Sequence, residues 1–518
     1  MAAAAESHEE LEYAGGGLAA ETNWWGAFVI GLAGTILVTG IAPAVVPVLG
    51  AASVPLFVGI TLTGVLLILL LAELSAMMPE RTGGSPSYAY PAWKIRYPRL
   101  APHVNGFTAW AYWMGWFPVA PLNMILASFY LADLLGLNTT SGFTPITTFV
   151  AWSTFAIAIG GILLLFIPSY LGIRFGTVFA TVLALLAMIP LTFLAIVWVF
   201  NPGVAHWSQL AGFHQLDGTS FFSPVAAVVG GSPYNWFIAY TGIAFLLSWN
   251  VIAFEAAACY IGECKNPERD GKITMILSGG YGLFIYAMIP IAFVVVLGAA
   301  ALSDPALVDP KTMFIKFAGE ALGGALGSAM NWIIAIMLIV ALLLSALNAI
   351  MGSARGLHQM SVDGQFPRWF SHVNKHGVPD RSMLVNTGAS LVVVCLGGAV
   401  QIYSFSNVGY IASFVPVIIG YYLLRKYKPN VRRPFKLPEV FKYLALALAG
   451  LYVFFWIGGG IIYSMIGNVV IYYILGWVTL LAYLPLYWWR HRVEDPKYAK
   501  NAAVGGELLG TLPPGSGV

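Results

Sequence analysis

Apolar positions in this chain come in runs. From residue 24 onward, long mainly apolar stretches are separated by short polar connections. Alternation with a period of two would predict half-buried strands, and a stripe with a period of 3.6 would predict helices on a water-facing core. Neither fits segments that are apolar on every side. About 20 such residues in a helix cross the hydrocarbon of a bilayer. The pattern predicts twelve spans, at 24–49, 54–78, 104–135, 147–167, 176–200, 235–260, 273–300, 327–360, 382–400, 403–424, 441–463 and 466–489. Span 8 is longer than one crossing needs, so its last turns are expected to emerge from the membrane. The expected fold class is an all-α membrane protein with twelve transmembrane helices.

Composition supports a lipid solvent. The 518 residues are 59% hydrophobic and 9% charged, whereas a soluble chain carries roughly 25% charged residues. So few charges cannot clothe a water-facing surface of this length. Mean hydropathy is +0.80. The net charge of +3 suggests no nucleic acid partner.

The charges also orient the chain. Lys311 and Lys316 are the only basic residues in the odd-numbered connections, and the other 23 lie in the even-numbered connections and the C-terminal tail. Lys and Arg are retained on the cytoplasmic side. This predicts a cell-membrane protein with both termini cytoplasmic: tail 1–23, transmembrane domain 24–490 and tail 491–518. Residues 1–23 hold no Lys or Arg and no apolar core, so they are not expected to be a signal peptide.

Metal and catalytic chemistry find little support. Cys259, Cys264 and Cys395 have no metal-ligand spacing and read as reduced packing residues. His206, His214 and Asp217 share the connection 201–234, which reads as a wet loop. No nucleophile–base pair or phosphate loop stands out, and neither a cofactor nor a metal is expected.

Two spans contain features that a plain crossing does not need. Span 1 reads FVIGLAGTILVTGIAPAVVPVLG, with Gly31, Gly34, Gly40, Pro43 and Pro47 around Thr35 and Thr39. Glycine weakens a helix and proline removes a hydrogen bond. A break is expected near residues 36–40, although the small residues alone could serve close packing. Span 6 reads SWNVIAFEAAA, placing Asn250 and Glu255 at mid-membrane depth. Ionisable groups there are costly, so they pair or work. A disrupted first helix in each half is the pattern of transporters built from inverted repeats, with the substrate between the two breaks. Repeats are expected at about 24–200 and 235–424, with extra helices at 441–489. Glu255 has two readings: it ties span 6 to the unwound part of span 1, or it also carries a proton. Glu73, near the inner end of span 2, reads as a cap or gate partner. Asp133 is expected to be solvated.

The order of motifs resembles the amino acid–polyamine–organocation permeases. GTILVTGIA resembles their broken-helix signature. AELSAMMPERTGGSPSYAY (72–90) is similar to "AEL…MPxxGGxYxY", and WNVIAFEAAACYIGECKNPERD (249–270) to "F.GFE…..E.KNP.R". SALNAIMGSARGLHQMSVDGQFPRWFSHVNKHGVP (345–379) and LLRKYKPNVRRPFKLP (423–438) follow in the family's order. The resemblance covers most of residues 24–440. It implies the LeuT-type fold of five plus five helices with two more added. Two positions depart from the family pattern. The span 1 triplet is Val38-Thr39-Gly40, lacking its first glycine, and Ala253 replaces the usual glycine before "FE". Both changes narrow a pocket or stiffen a break. Ala184 occupies the aligned position of a lysine that replaces sodium in some relatives, which argues against that mode of coupling.

The resemblance implies a secondary transporter of a small amino acid or related amine, working by alternating access, with proton coupling left open. It places Thr35, Ile36, Val38, Thr39 and Gly40 of span 1 at the substrate, with Trp249, Asn250, Val251, Ile252 and Ala253 of span 6. Asn348 and Asn407 are further candidates, and Glu255 is the coupling or helix-tying residue. The expected partners are a small-molecule substrate, the bilayer and, under the coupled reading, protons. A monomer is expected. A transport-inactive sensor of the same fold, or an exchanger of other organocations, is the alternative.

Overall fold

The computed structural model describes residues 17–145, 149–226, 233–396 and 398–497. The outer parts of the two predicted tails lie outside these residues. The helices run α1 (Trp24–Thr35), α2 (Val38–Leu49), α3 (Ser53–Met77), α4 (Ala89–Lys94), α5 (Ala101–Trp116), α6 (Val119–Leu134), α7 (Trp152–Tyr170), α8 (Ile173–Val197) and α9 (Trp236–Ile252). They continue with α10 (Pro267–Leu302), α11 (Pro310–Leu322), α12 (Gly324–Val362), α13 (Asp380–Val393), α14 (Ala399–Tyr427), α15 (Phe441–Phe454), α16 (Gly460–Ile466), α17 (Val470–Leu481) and α18 (Tyr483–Trp489). Among the described residues the only paired strands form a two-residue ribbon, Gly142–Phe143 with Val150–Ala151.

Ten segments among the described residues are long and apolar enough to cross a membrane. The first, Trp24–Met77, has 54 residues. At about 1.5 Å per residue this exceeds any single crossing. It turns back at Gly50, whose φ of 58° suits glycine. Expected spans 1 and 2 both lie within it. Expected span 9 coincides with α13, which has 14 residues and ends in a short 3-10 turn, Val394–Leu396.

Contacts sort the connections into two ends. Thr274 reaches Trp24, Arg81 meets Asp363, and Arg425 meets Glu73. This end gathers most of the basic residues and is called the basic end below. At the far end, Ala52 N–H donates to His214 O, and Lys311 pairs with Asp133 at 2.6 Å. Asp133 is thus wet, as expected, but also paired. Asp217 lies here in a tight turn, and hydrogen bonds from Thr219 hold its carboxyl below the usual range. Among the described residues no group of three or more His, Cys, Asp and Glu could hold a metal. All three cysteines are free.

The helices surround a buried, mainly apolar interior, with α3 packed along α10 and α5 along α14. Outward faces of α7, α8 and α17 expose Leu164, Phe175, Val178, Ile189 and Val478. Such faces would be liabilities in water and are expected against lipid.

Among the interrupted crossings, three lie at the core of the molecule. α1 ends at Thr35 and α2 starts at Val38, leaving only Ile36 and Leu37 between them. The gap is narrower than residues 36–40. The Ile36 carbonyl accepts from both the backbone N–H of Thr39 (3.1 Å) and its hydroxyl (2.9 Å). Expected span 3 is also split, between α5 and α6. Pro121 has no N–H to give to Phe117 O. Ser390 of α13 donates to that carbonyl instead, at 3.0 Å, so the freed group is satisfied from a neighbouring helix. Beyond Ile252, α9 tightens into a 3-10 helix, Ala253–Glu263. Its 11 residues far exceed the usual run of about 3–4.

α1 and this 3-10 segment touch backbone to backbone. A Cβ on Gly34 would sit 2.0 Å from the Ala253 carbonyl oxygen, and one on Gly31 would sit 2.5 Å from the Ala257 Cβ. The glycines of span 1 therefore allow close approach at one level, and the interruption follows immediately after it.

Candidate functional site

A cavity of about 220 Å³ lies against the interruption of span 1. Leu37, Thr39, Gly40, Ile41 and Ala44 form one wall, and Asn123, Leu126 and Tyr130 of α6 form another. Leu246, Leu338, Leu342, Tyr403 and Tyr463 complete the sides, while Val308 and Pro310 place it toward the far end. Among the described residues no charged side chain lines it. A larger groove of about 730 Å³ at the basic end, between the α7–α8 turn and residues 371–377, lies on the surface and away from the interrupted helices.

Thr39 and Gly40 are the expected substrate residues that line the cavity. The Thr39 hydroxyl is already committed to Ile36 O. Thr35, Ile36 and Val38 are buried but do not line it. Val251, Ile252 and Ala253 are buried in helix packing, with Val251 against Gly64 and Ala253 against Gly34. Two of the three amides tie helices, and Asn250 bonds within its own. Asn250 Nδ2 donates to Leu246 O at 3.1 Å, and Asn407 Nδ2 donates to Phe245 O at 2.6 Å. Asn348 Oδ1 accepts from the Tyr260 hydroxyl at 2.7 Å.

Trp249 is fully buried in an aromatic column. Its ring centroid lies 5.5 Å from Tyr403, 5.4 Å from Tyr410 and 5.8 Å from Trp116. Tyr403 lines the cavity, and Tyr410 reaches Glu255. The column therefore separates the cavity from the buried carboxylate.

Glu255 is fully buried. Ser85 Oγ donates to Oε2 at 2.5 Å. Oε1 accepts from Tyr112 and Tyr410, both at 2.9 Å, and from Trp116 Nε1 at 3.3 Å. The sequence reading directed this side chain at span 1. Its donors come instead from the segment after α3, from α5 and from α14. Four neutral donors satisfy both oxygens, and the carboxylate joins span 6 to three other segments.

Three buried ion-pair groups lie toward the basic end from Glu255. Arg81 forks onto both oxygens of Asp363 at 2.7 Å, and its other N–H groups donate to Ser87 O. Arg355 forks onto Glu263 and faces the Tyr260 ring at 5.0 Å. Glu73 accepts from Arg425 at 2.5 Å, Arg433 at 3.1 Å, Tyr421 at 3.1 Å and the Leu437 N–H at 3.0 Å. It therefore both caps and pairs.

Sequence reasoning missed Asn123. It is 1% exposed, and neither amide atom has a hydrogen-bond partner among the described residues. The available signal was a lone amide just after Pro118 and Pro121, inside a long apolar window.

A profile of the amino acid permease family matches residues 23–480. An uncharacterised transporter of Legionella pneumophila is 28% identical, with the alignment covering 60% of this chain and 59% of that protein. A glutamate/gamma-aminobutyrate antiporter of Lactococcus lactis is 24% identical over 38% and 40% of the two chains. A branched-chain amino acid permease of Bacillus subtilis is 27% identical over 42% and 47%. In each case less than two thirds of the relative is spanned. Members of the family are membrane transporters, not enzymes, and the family implies an amino-acid-type substrate and the LeuT-type fold. The profile match extends from the first predicted crossing into the last, and on that match this multi-pass chain belongs to the amino acid permease family within the amino acid–polyamine–organocation superfamily.

Proposed function

We propose that the protein is a secondary active transporter that moves a small, net-neutral amino acid or related solute by alternating access. The observation that carries this reading is the uncharged cavity beside the span 1 interruption, above a basic end sealed by buried ion pairs. A lining without charge suits a cargo without a charged side chain, since an unpaired charge in a dry site is expensive.

In this reading the chain crosses twelve times. Two repeats, about 24–200 and 235–424, form the LeuT-type core, and 441–489 add two crossings. The basic end and both termini face the cytoplasm. Spans 1, 2, 6 and 7 rock against the rest. Each ion-pair group bridges the two sets. Glu73, Arg81 and Glu263 lie on the rocking spans or in the segments that follow spans 2 and 6, whereas Arg355, Asp363 and Arg425 lie on or just past spans 8 and 10. Opening toward the cytoplasm therefore parts all three. Cargo first meets Thr39 and Gly40, then passes Trp249, whose rotation exposes Thr35, Asn250 and Ala253. Glu255 ties this region together and carries the coupling proton once Trp249 and Tyr410 move aside.

Proteoliposomes supplied with a panel of labelled amino acids and amines test the reading. Saturable uptake of a neutral member, with counterflow from preloaded vesicles, is the expected result. Binding without translocation across the whole panel would make the protein a sensor rather than a carrier.

A further inference from the structure

The cavity wall includes one buried polar side chain that its packing leaves unexplained. Asn123 is buried on the α6 wall, and both Oδ1 and Nδ2 lack a hydrogen-bond partner among the described residues. A carboxamide has two N–H donors and an oxygen with two lone pairs. Leaving such a group unsatisfied in a buried place is costly. Because both atoms lack partners, the assignment of O and N in the amide does not affect this point. It shares the lining with the apolar Leu126, Leu338 and Leu342 and with Tyr130, Tyr403 and Tyr463, and the Thr39 hydroxyl is spent on Ile36 O.

We propose that Asn123 is the specificity-determining residue of the cavity, selecting cargo whose side chain carries an uncharged group able both to donate and to accept, a hydroxyl or a primary amide. This inference rests on the transport reading above and narrows its substrate class. The cavity of about 220 Å³ is roughly seven times the volume share of one liquid water, about 30 Å³, and so suits a small solute. A hydrocarbon side chain of the same shape would fill the space and strand both ends of the amide. Sites built to pair a hydroxyl or amide discriminate strongly against the analogue lacking it, because their own polar groups are then left unpaired. A charged side chain would find no opposite charge on the lining.

The test compares near-isosteric probes in proteoliposomes made with the full chain. Threonine is set against valine, and asparagine against leucine, each as competitor and as labelled substrate. The wild type is expected to favour the polar member of each pair by about tenfold or more in kcat/KM. Asn123→Leu should collapse or invert that ratio, and Asn123→Ser, which keeps a hydroxyl, should give an intermediate one. Should Asn123→Leu fold poorly, the Asn123→Ser ratio decides alone. A wild-type preference for the hydrocarbon member, or ratios unchanged in both variants, overturns the assignment while leaving transport intact. A wild type that moves none of the four probes, nor any other member of the wider panel, brings down the transport reading itself.

Discussion

Arg355 of α12 and Glu263, at the end of the 3-10 segment, form a fork-to-fork ion pair in which both side chains are wholly buried. Removing one partner of such a pair typically costs about 3–5 kcal/mol, because the other charge is left uncompensated, whereas replacing both by apolar residues is often neutral. Arg355→Met should therefore lower the thermal inactivation midpoint in detergent markedly. Arg355→Met combined with Glu263→Leu should recover part of the loss. The double variant should also raise alkylation of Cys259 from the basic end, because the charged tie between spans 6 and 8 is gone and only the Tyr260–Asn348 hydrogen bond remains beside it. A double variant no more stable than the single one would show that the pair does not act as a unit.

Glu255 separates structure from coupling. In Glu255→Gln the amide carbonyl can keep accepting from Tyr112, Tyr410 and Trp116, while the NH₂ donates to Ser85, whose hydroxyl also accepts. The fold should survive. Glu255→Leu strands four donors, each worth about 1–3 kcal/mol when buried and unpaired, so it should express poorly. The coupling role predicts that Glu255→Gln keeps substrate exchange and loses accumulation driven by a pH gradient. Gradient-driven uptake at wild-type level in that variant would leave the carboxylate a purely structural tie.

The glycines of span 1 should divide into two kinds. Gly34→Ala drives a methyl against the Ala253 carbonyl, 2.0 Å away. That overpacking typically costs about 1–3 kcal/mol or more, and it should separate span 1 from span 6. At Gly40 a Cβ meets nothing within 4 Å, yet the residue lines the cavity. Gly40→Ala should therefore spare stability and lower the largest cargo accepted. Parallel melting curves and size-graded competition assays distinguish the two effects.

Topology is testable without substrate. In a cysteine-free background, Asp217→Cys should react with an impermeant maleimide added to intact cells, and Asn430→Cys should react only after lysis. The opposite pattern would invert the assignment of the basic end to the cytoplasm.

Features written into single segments were legible in the sequence. Gly31, Gly34 and Gly40 signalled the disturbance of span 1, and Glu255 within an apolar run signalled that of span 6. The split of span 3 was written in Pro118 and Pro121, but a continuous apolar window hid it. Partnerships were much harder to read. The donors to Glu255, namely Ser85, Tyr112, Trp116 and Tyr410, are scattered over more than 300 positions and converge only through packing. The same holds for the amides. Asn348 and Asn407 were further candidates for the substrate site, and a neighbouring segment satisfies part of each amide. Asn123 attracted no attention, although neither end of its amide finds a partner.

The tight winding of Ala253–Glu263 also sets a mechanical stroke. A 3-10 helix rises about 2.0 Å per residue and an α-helix about 1.5 Å. Over these 11 residues the difference is about 5 Å of length. The two windings advance about 120° and 100° per residue, so relaxation would also turn one end against the other by about 220°. Ala253 is held at Gly34, and Glu263 is held at Arg355. With both anchors engaged the segment can neither shorten nor turn. Release at Arg355 would free the Glu263 end, like a cam on a shaft, whereas Glu255, two residues from the Ala253 anchor, would turn by only about 40° and stay near its donors.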